Sequence, residues 1–422
     1  MKILVIQLDT AGDVLRTTPV IRGLREKYPS AYIGFLLEDR FTDILIHHPD
    51  IDEIFVIPHL YRQALDEGLI EPGVLLGRAP ESTRLNPSEK KILEDLFHLR
   101  ERLKGRTFDL VINLHQSLTS AIFTALSGGA QIVGNSLTEA NSLRYEDPWP
   151  PRKAYLETNR NQMNRLDLYL LMAGVKPSQK VPQLYLGQEA KDFISDCLQG
   201  YGVNESDFVA VLQPGSGWER NVWQIKRWNI KKVARIGDEI QQQLGARVIL
   251  IGAPLEQARS AAVAHLMEEP PLDLTGRTSL QQLGALIERA NLFIGPDSGP
   301  THMAVALSTP TIAVFGGISP LLYAPVGKNF LILQAELPCR PFYGCRQPCE
   351  ETKCLQAIPA ESLPAAYHLL KLLWHPEFNK LNGLQSEATR LVSRFREAGI
   401  MVFSPRLRET SNRSAAKPQP NH

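Results

Sequence analysis

The sequence predicts an α/β protein made of two parallel-sheet domains of similar size. Strand and helix patterns alternate in two separate series, over residues 2–173 and 208–315. Glycine-rich turns follow buried apolar runs at 213–217, 295–299 and 316–317, the edge at which parallel sheets collect their ligands. The length of 422 residues also exceeds what one hydrophobic core ordinarily organises.

The first series opens with a continuous aliphatic run, 2–8, the pattern of a buried strand. A turn at 9–13 leads into a predicted helix over 14–28, with Val14, Leu15, Ile21 and Leu24 spaced for one buried side. A strand at 32–37, a short helix at 41–47 and a strand at 54–57 continue the alternation. Residues 59–87 carry several Gly and Pro and no clear period, and read as an insertion. A charged amphipathic helix is predicted at 88–104, a strand at 110–114, a helix at 117–126 and a short strand at 132–134. Residues 148–151 read as irregular, 158–173 as helix and 176–182 as the linker. The domains are therefore drawn as 1–180 and 181–361, with C-terminal helices over 362–400.

The second series has strands at 208–212, 247–251, 292–294 and 311–315. Helices are predicted at 227–244, 256–267, 279–289, 362–374 and 380–398. From 406 to 422 the tail is polar without an apolar period, so disorder is expected there.

Composition narrows the function classes. Hydrophobic residues at 43% and charged residues at 22% are ordinary for a globular chain. A formal net charge of +1 leaves no electrostatic footprint for nucleic acid. No apolar run approaches the ~18 residues of a membrane span, and the N-terminal run is too short and too soon interrupted by Asp9 for a signal peptide. A cytoplasmic location is expected, with peripheral docking on lipid left open. Of five cysteines, Cys339, Cys345, Cys349 and Cys354 cluster. Their intervals fit no paired C-x-x-C zinc pattern, so packed or solvated thiols are expected rather than metal. Cys197 reads as a small buried residue on a helix.

The most informative stretch is Gly295-Pro296-Asp297-Ser298-Gly299-Pro300-Thr301-His302. Strand, glycine turn and helix start together present backbone N–H groups and a positive dipole end to an anion. Its bland reading is a helix capped by Asp297 or Ser298. Lys226 and Arg227 follow the turn at 213–217 and can pair with phosphates. Glu256, just past a strand, can accept from a ribose hydroxyl pair or serve as a first-turn carboxylate. Asp13 lies just past the first strand, where a helix-capping role competes with a chemical one. No G-x-x-x-x-G-K-[ST] occurs, and no G-x-G-x-x-G follows the first strand.

Taken together, these residues resemble glycosyltransferase family 9, the lipopolysaccharide heptosyltransferases. The likeness runs through Ile3-Leu4-Val5-Ile6, Gly12-Asp13-Val14-Leu15, Thr17-Thr18-Pro19, Pro49-Asp50-Ile51-Asp52-Glu53 and Phe108-Asp109-Leu110. It continues through Gln213-Pro214-Gly215, Lys226-Arg227-Trp228, Asp273-Leu274-Thr275-Gly276, the Asp-Ser-Gly-x-x-His pattern at 297–302 and the cysteine segment. The resemblance implies a GT-B fold: two Rossmann-like domains facing across a cleft, the helix at 362–374 crossing back to the first. It implies inverting transfer of a sugar, typically heptose from ADP-heptose, to a lipid-linked saccharide, with no metal or cofactor beyond the donor. Asp13 matches the catalytic base. Ser216 and Lys226 match donor-phosphate contacts, and Glu256 the ribose carboxylate. Asp297, Ser298, Gly299 and His302 match the turn around the diphosphate and sugar. Gln7, where the family usually has Arg or Lys, and Asp9, where Ser is common, are departures. Two rivals stay open at this point. One is a nucleotide-sugar epimerase on the same fold, which needs further acid/base groups around the sugar. The other is a non-catalytic protein that binds a sugar nucleotide or an assembly partner, against which the retention of Asp13 speaks.

Overall fold

The computed structural model describes residues 1–66, 75, 87–138, 143–147, 162–215, 226, 228–337 and 352–407. The chain forms two compact units, Met1–Tyr185 and Leu186–His422, dividing a few residues past the predicted linker. The readings at 148–151 and 158–161, at Ser216, Gly217 and Arg227, at Cys339, Cys345 and Cys349, and along most of the polar tail fall outside the described residues.

In the first unit, β1 (Lys2–Ile6) lies between β2 (Tyr32–Glu38) and β4 (Leu110–Asn113), parallel to both. The full order is β3-β2-β1-β4-β5-β6, where β3 is Glu53–Ile57, β5 Gln131–Leu137 and β6 Leu143–Glu146. The uninterrupted apolar runs are what such a sheet demands, because helices cover its faces. Leu4, Ile6, Leu36, Val111 and Phe123 are fully buried in one core, each contributing on the order of 2 kcal/mol.

The helix predicted over 14–28 is two helices, Ala11–Leu15 and Thr18–Lys27. Pro19 has no N–H with which to bond the Leu15 carbonyl, so the ladder breaks there. Thr18 Oγ1 donates to that carbonyl instead, at 2.9 Å. This break ends the first helix one turn after Asp13. The segment expected at 41–47 is a 3-10 turn, Asp39–Ile44. The insertion begins with a helix, His59–Asp66, too short to declare a period but anchored by Ala64 and Leu65. The helix predicted over 158–173 is described from Arg165, capped by Asn164 Oδ1 accepting from Leu166 N at 3.0 Å. The short strand at 132–134 extends over Gln131–Leu137, and β6 pairs antiparallel with it.

The second sheet has the order β13-β12-β11-β10-β7-β8-β9. Here β7 is Val209–Leu212, β8 Arg247–Leu250, β9 Leu272–Asp273, β10 Leu292–Pro296 and β11 Thr311–Phe315. Beyond the predicted strands lie β12 (Phe330–Ala335) and β13 (Ile400–Phe403), the latter antiparallel at the edge. The helix predicted from 227 begins at Ile230, after its Asn229 cap. Helix Ser362–Leu373, expected to cross back to the first domain, buries Leu363, Leu369, Leu370 and Leu373 in the core of the second unit.

Gly134 illustrates how tightly the first sheet is built beside Asn113. Its φ of +107° is open to glycine, and a Cβ there would stand 2.0 Å from the Asn113 carbonyl oxygen. The Asn113 side chain in turn donates to Ser120 Oγ, Thr124 Oγ1 and Asn135 O at 2.9–3.1 Å. Gly134→Ala is expected to lower stability by about 3 kcal/mol. Urea unfolding checks this; an unchanged midpoint would contradict the clash.

Candidate active site

Parallel strands end on one side of their sheet, and Asp13, Glu256 and the 297–302 turn follow such ends. In the first unit polar side chains gather past β1, β2 and β4. Thr10 caps the short helix Ala11–Leu15 in extended conformation, which places Asp13 in the first turn. Asp13 Oδ2 accepts from Thr10 Oγ1 at 2.9 Å, and Oδ1 accepts from Arg16 Nη1 at 2.6 Å. Tyr169, from helix Arg165–Ala173, donates its hydroxyl to Asp13 Oδ1 at 3.4 Å and accepts from Gln7 Nε2 at 3.1 Å. Asp13 is therefore not the helix cap; Thr10 is.

Asp9 lies beside Asp13, its backbone N–H held by Gln7 Oε1 at 3.1 Å. Burial and the charge of Asp13 push its carboxyl up to about 6. His115, just past β4, brings Nε2 to 3.9 Å from Asp9 Oδ2, and burial holds it down to about 4. Burial and Asp13 keep the Tyr169 hydroxyl protonated, well above its usual range. Glu38, wholly buried at the end of β2, accepts from Arg40 at 2.9 Å, faces His59 Nδ1 at 3.0 Å and accepts from Arg62. Arg62 also donates to the Leu8 carbonyl and to Asp66.

In the second unit, Gly299–Ala306 forms the predicted helix, with Ser298 as the extended N-cap residue and Pro300 in its first turn. Ser298 does not cap; its Oγ donates to Gln213 Oε1 at 2.6 Å. The side-chain cap expected from Ser298 is thus absent, leaving first-turn N–H groups for a ligand or solvent. Asp297 also does not cap. Its carboxylate accepts from Lys226 Nζ at 2.8 Å and faces His302 Nε2 at 3.7 Å, with side chains 7%, 16% and 5% exposed for Asp297, Lys226 and His302. Lys226 Nζ also donates to the Asp297 carbonyl at 2.9 Å, so one cation fixes both the side chain and the backbone of the turn.

Glu256 closes the 3-10 turn Pro254–Glu256 past β8, buried, with Oε2 accepting from Ala253 N at 3.0 Å. Gly276, at φ +69°, packs where a Cβ would come within 2.7 Å of Pro254 Cα. This gives the Asp273-Leu274-Thr275-Gly276 motif a physical role in seating the Glu256 turn. Ser216 lies outside the described residues. Sequence reasoning passed over Arg16, Tyr169 and His115. Only Arg16 left a local signal, its i,i+3 spacing from Asp13 on a helix; the others reach the site from distant parts of the chain. Among the described residues no group of three or more His, Cys, Asp or Glu is placed to hold a metal, and no helix is long and apolar enough to cross a membrane.

Two stability effects follow. Asp297→Ala leaves Lys226 largely buried without its carboxylate and is expected to cost about 3 kcal/mol, read as a lowered urea midpoint; Asp297→Asn should cost less. Asp9 has a folded pKa above its unfolded value of 3.8. Its contribution is therefore full below pH ~4 and is lost as pH rises through ~6. The side chain is 39% exposed, so solvent screening reduces the loss to about 1 kcal/mol. Asp9→Asn should accordingly raise the melting temperature at pH 8 and leave it unchanged at pH 4. An equal effect at both values would contradict the assignment.

Residues 96–353 match the family model "Glycosyltransferase family 9 (heptosyltransferase)". The chain is 26% identical to lipopolysaccharide heptosyltransferase 3 of Escherichia coli K12 over 370 residues, covering 84% of this chain and 94% of that one. It is 22% identical to lipopolysaccharide heptosyltransferase 1 of Pseudomonas aeruginosa over 86% of this chain and 92% of the relative. Among solved structures, a glycosyl transferase family 9 protein of Veillonella parvula superposes with a TM-score of 0.66 at 21% identity, covering 88% of this chain and 97% of that one. The E. coli ADP-heptose heptosyltransferase II gives 0.63 at 19%, over 88% and 99%. These superpositions identify the fold as GT-B. With the family model spanning more than half of its length, the chain belongs to glycosyltransferase family 9, the heptosyltransferases, and is a glycosyltransferase.

Proposed function

We propose that this enzyme transfers heptose from ADP-heptose, with inversion at the anomeric carbon, to a hydroxyl of a lipopolysaccharide-core or related lipid-linked saccharide. It would act in the cytoplasm, at the inner membrane surface. The observation that carries the reading is the Lys226–Asp297–His302 cluster at the uncapped start of helix Gly299–Ala306. It combines a cation, a positive dipole end and first-turn N–H groups, the set a diphosphate requires. Asp297, Ser298, Gly299 and His302 are assigned to the diphosphate and sugar, Ser216 and Lys226 to the phosphates, and Glu256 to the ribose hydroxyls. An E. coli heptosyltransferase solved with ADP-2-deoxy-2-fluoro heptose supports ADP-heptose as the donor.

Asp13 is assigned as the general base. The acceptor oxygen bonds to the anomeric carbon as its proton passes to the Asp13 carboxylate. The bond from that carbon to the diphosphate oxygen breaks on the opposite face, and ADP leaves with the electron pair. Helix N–H groups and the Lys226 ammonium stabilise the charge that grows on the diphosphate.

Calorimetry with ADP, UDP, GDP and their sugar conjugates tests the donor site. ADP-heptose is expected to bind selectively to wild type and to Asp13→Ala alike, while Asp13→Ala lowers kcat by about 100-fold or more. Preference for a UDP- or GDP-sugar would overturn the heptose assignment, and retained turnover in Asp13→Ala would overturn the base. Chelators are expected to leave the rate unchanged, because the cation at the diphosphate is Lys226; a rate lost to EDTA and restored by a divalent ion would contradict that.

A further inference from the structure

The side chains around Asp13 act on its basicity in opposite directions. Arg16 Nη1 stands 2.6 Å from Asp13 Oδ1, and the two side chains are only 7% and 15% exposed. Thr10 Oγ1 holds the other oxygen, and the Tyr169 hydroxyl adds a long contact to Oδ1. Such donors select one rotamer, but they also favour the ionised form and so weaken the carboxylate as a base. The neighbouring Asp9 opposes them: its Oδ1 accepts from the N–H of the same Thr10 at 3.0 Å, and a second negative charge at that place raises the proton affinity of the first.

We propose that Arg16 is a positioning residue that locks the Asp13 carboxylate, and that the carboxylate of Asp9 restores the basicity which Arg16 removes. This rests on the reading of Asp13 as the base. Among the described residues, the other groups that act on the pair leave the opposition intact. Arg62, from helix His59–Asp66, draws down Asp9 but is itself engaged by Glu38 and Asp66. His115 is neutral at neutral pH, held down to about 4 by burial, and so does not cancel the Asp9 charge. Tyr169 stays protonated, with Arg16 and Arg165 acting on it from the cationic side. The influence of Asp9 and Asp13 on one another is reciprocal, so the loss of the Asp9 proton near pH 6 makes Asp13 the stronger base.

The test is a pH titration of the full-length protein, read in two ways. Carboxyl 13C NMR with labelled aspartate follows Asp9 and Asp13 directly, their signals assigned by loss in Asp9→Asn and Asp13→Asn. In parallel, kcat is measured against pH for ADP release from ADP-heptose with a lipopolysaccharide-core saccharide. Arg16→Gln is expected to raise the Asp13 midpoint and the acidic limb of kcat by about 1 unit or more, and Arg16→Lys to return most of that shift. In Asp13→Asn the Asp9 midpoint is expected to fall, the reciprocal readout of the same charge interaction. Unmoved midpoints in Arg16→Gln overturn the proposal even when kcat falls, since a merely structural role lowers the rate without displacing the limb. Should Arg16→Gln not fold, an unmoved Asp9 midpoint in Asp13→Asn overturns it alone. The base reading fails in a separate way. Wild-type kcat in Asp13→Asn removes Asp13 from catalysis, whereas an inactive Asp13→Asn with unmoved midpoints in the other variants removes only the tuning.

Discussion

The constraint on which this molecule depends is the parallel direction of its strands. When neighbouring strands run the same way, every strand delivers its last residue to the same edge, where no further strand covers the backbone. In the first unit that edge receives Asp9 and Asp13 after β1, Glu38 at the end of β2 and His115 after β4. In the second it receives Gln213 after β7, Glu256 after β8 and Asp297 after β10. Register then does the remaining work: Ile6 lies opposite Asn113, so the loops after β1 and β4 start level, while β2 runs two residues beyond Leu36 to carry Glu38 past them.

The polar groups gathered at these edges are mostly withdrawn from water, and each is held by a specific partner. Glu38 is wholly buried and has Arg40, His59 and Arg62 around it. Asp297 has Lys226 and His302. Buried ion pairs of this kind contribute little net stability, because desolvation offsets much of the Coulomb attraction. Their effect here is geometric. Lys226 binds both the carbonyl and the carboxylate of Asp297, and Ser298 turns to Gln213 instead of capping its own helix. The start of helix Gly299–Ala306 is thereby held in place by distant partners, and its first turn has no side-chain cap from Ser298.

The two halves use different chemistry. The second unit presents a turn fixed by the Lys226–Asp297 pair and a buried carboxylate, Glu256, the groups assigned in the proposed function to a nucleotide sugar. The first presents two neighbouring carboxylates, Asp9 pushed up by burial and by the charge of Asp13, among arginines and a neutral histidine. An inverting transfer needs both: stabilisation of charge on a leaving diphosphate, and a base for the incoming hydroxyl.

The amino-acid sequence by itself determined the fold class and the position of most strands along the chain, and it marked the strand ends at which the candidate residues stand. Continuous aliphatic runs, glycine turns and the break at the linker are local features, and local chemistry reads them. It also singled out Asp13, Glu256 and the 297–302 turn, since each directly follows a strand pattern. It did not show that Pro19 splits the helix after Asp13, or that β6 and β13 close their sheets antiparallel, because short edge strands have too few residues to display a period. Tertiary structure decided the partners. Tyr169 meets Asp13 across 156 residues, and Lys226 meets Asp297 across 71. Pairings at such separations are set by how elements pack, and no spacing within a single segment encodes them.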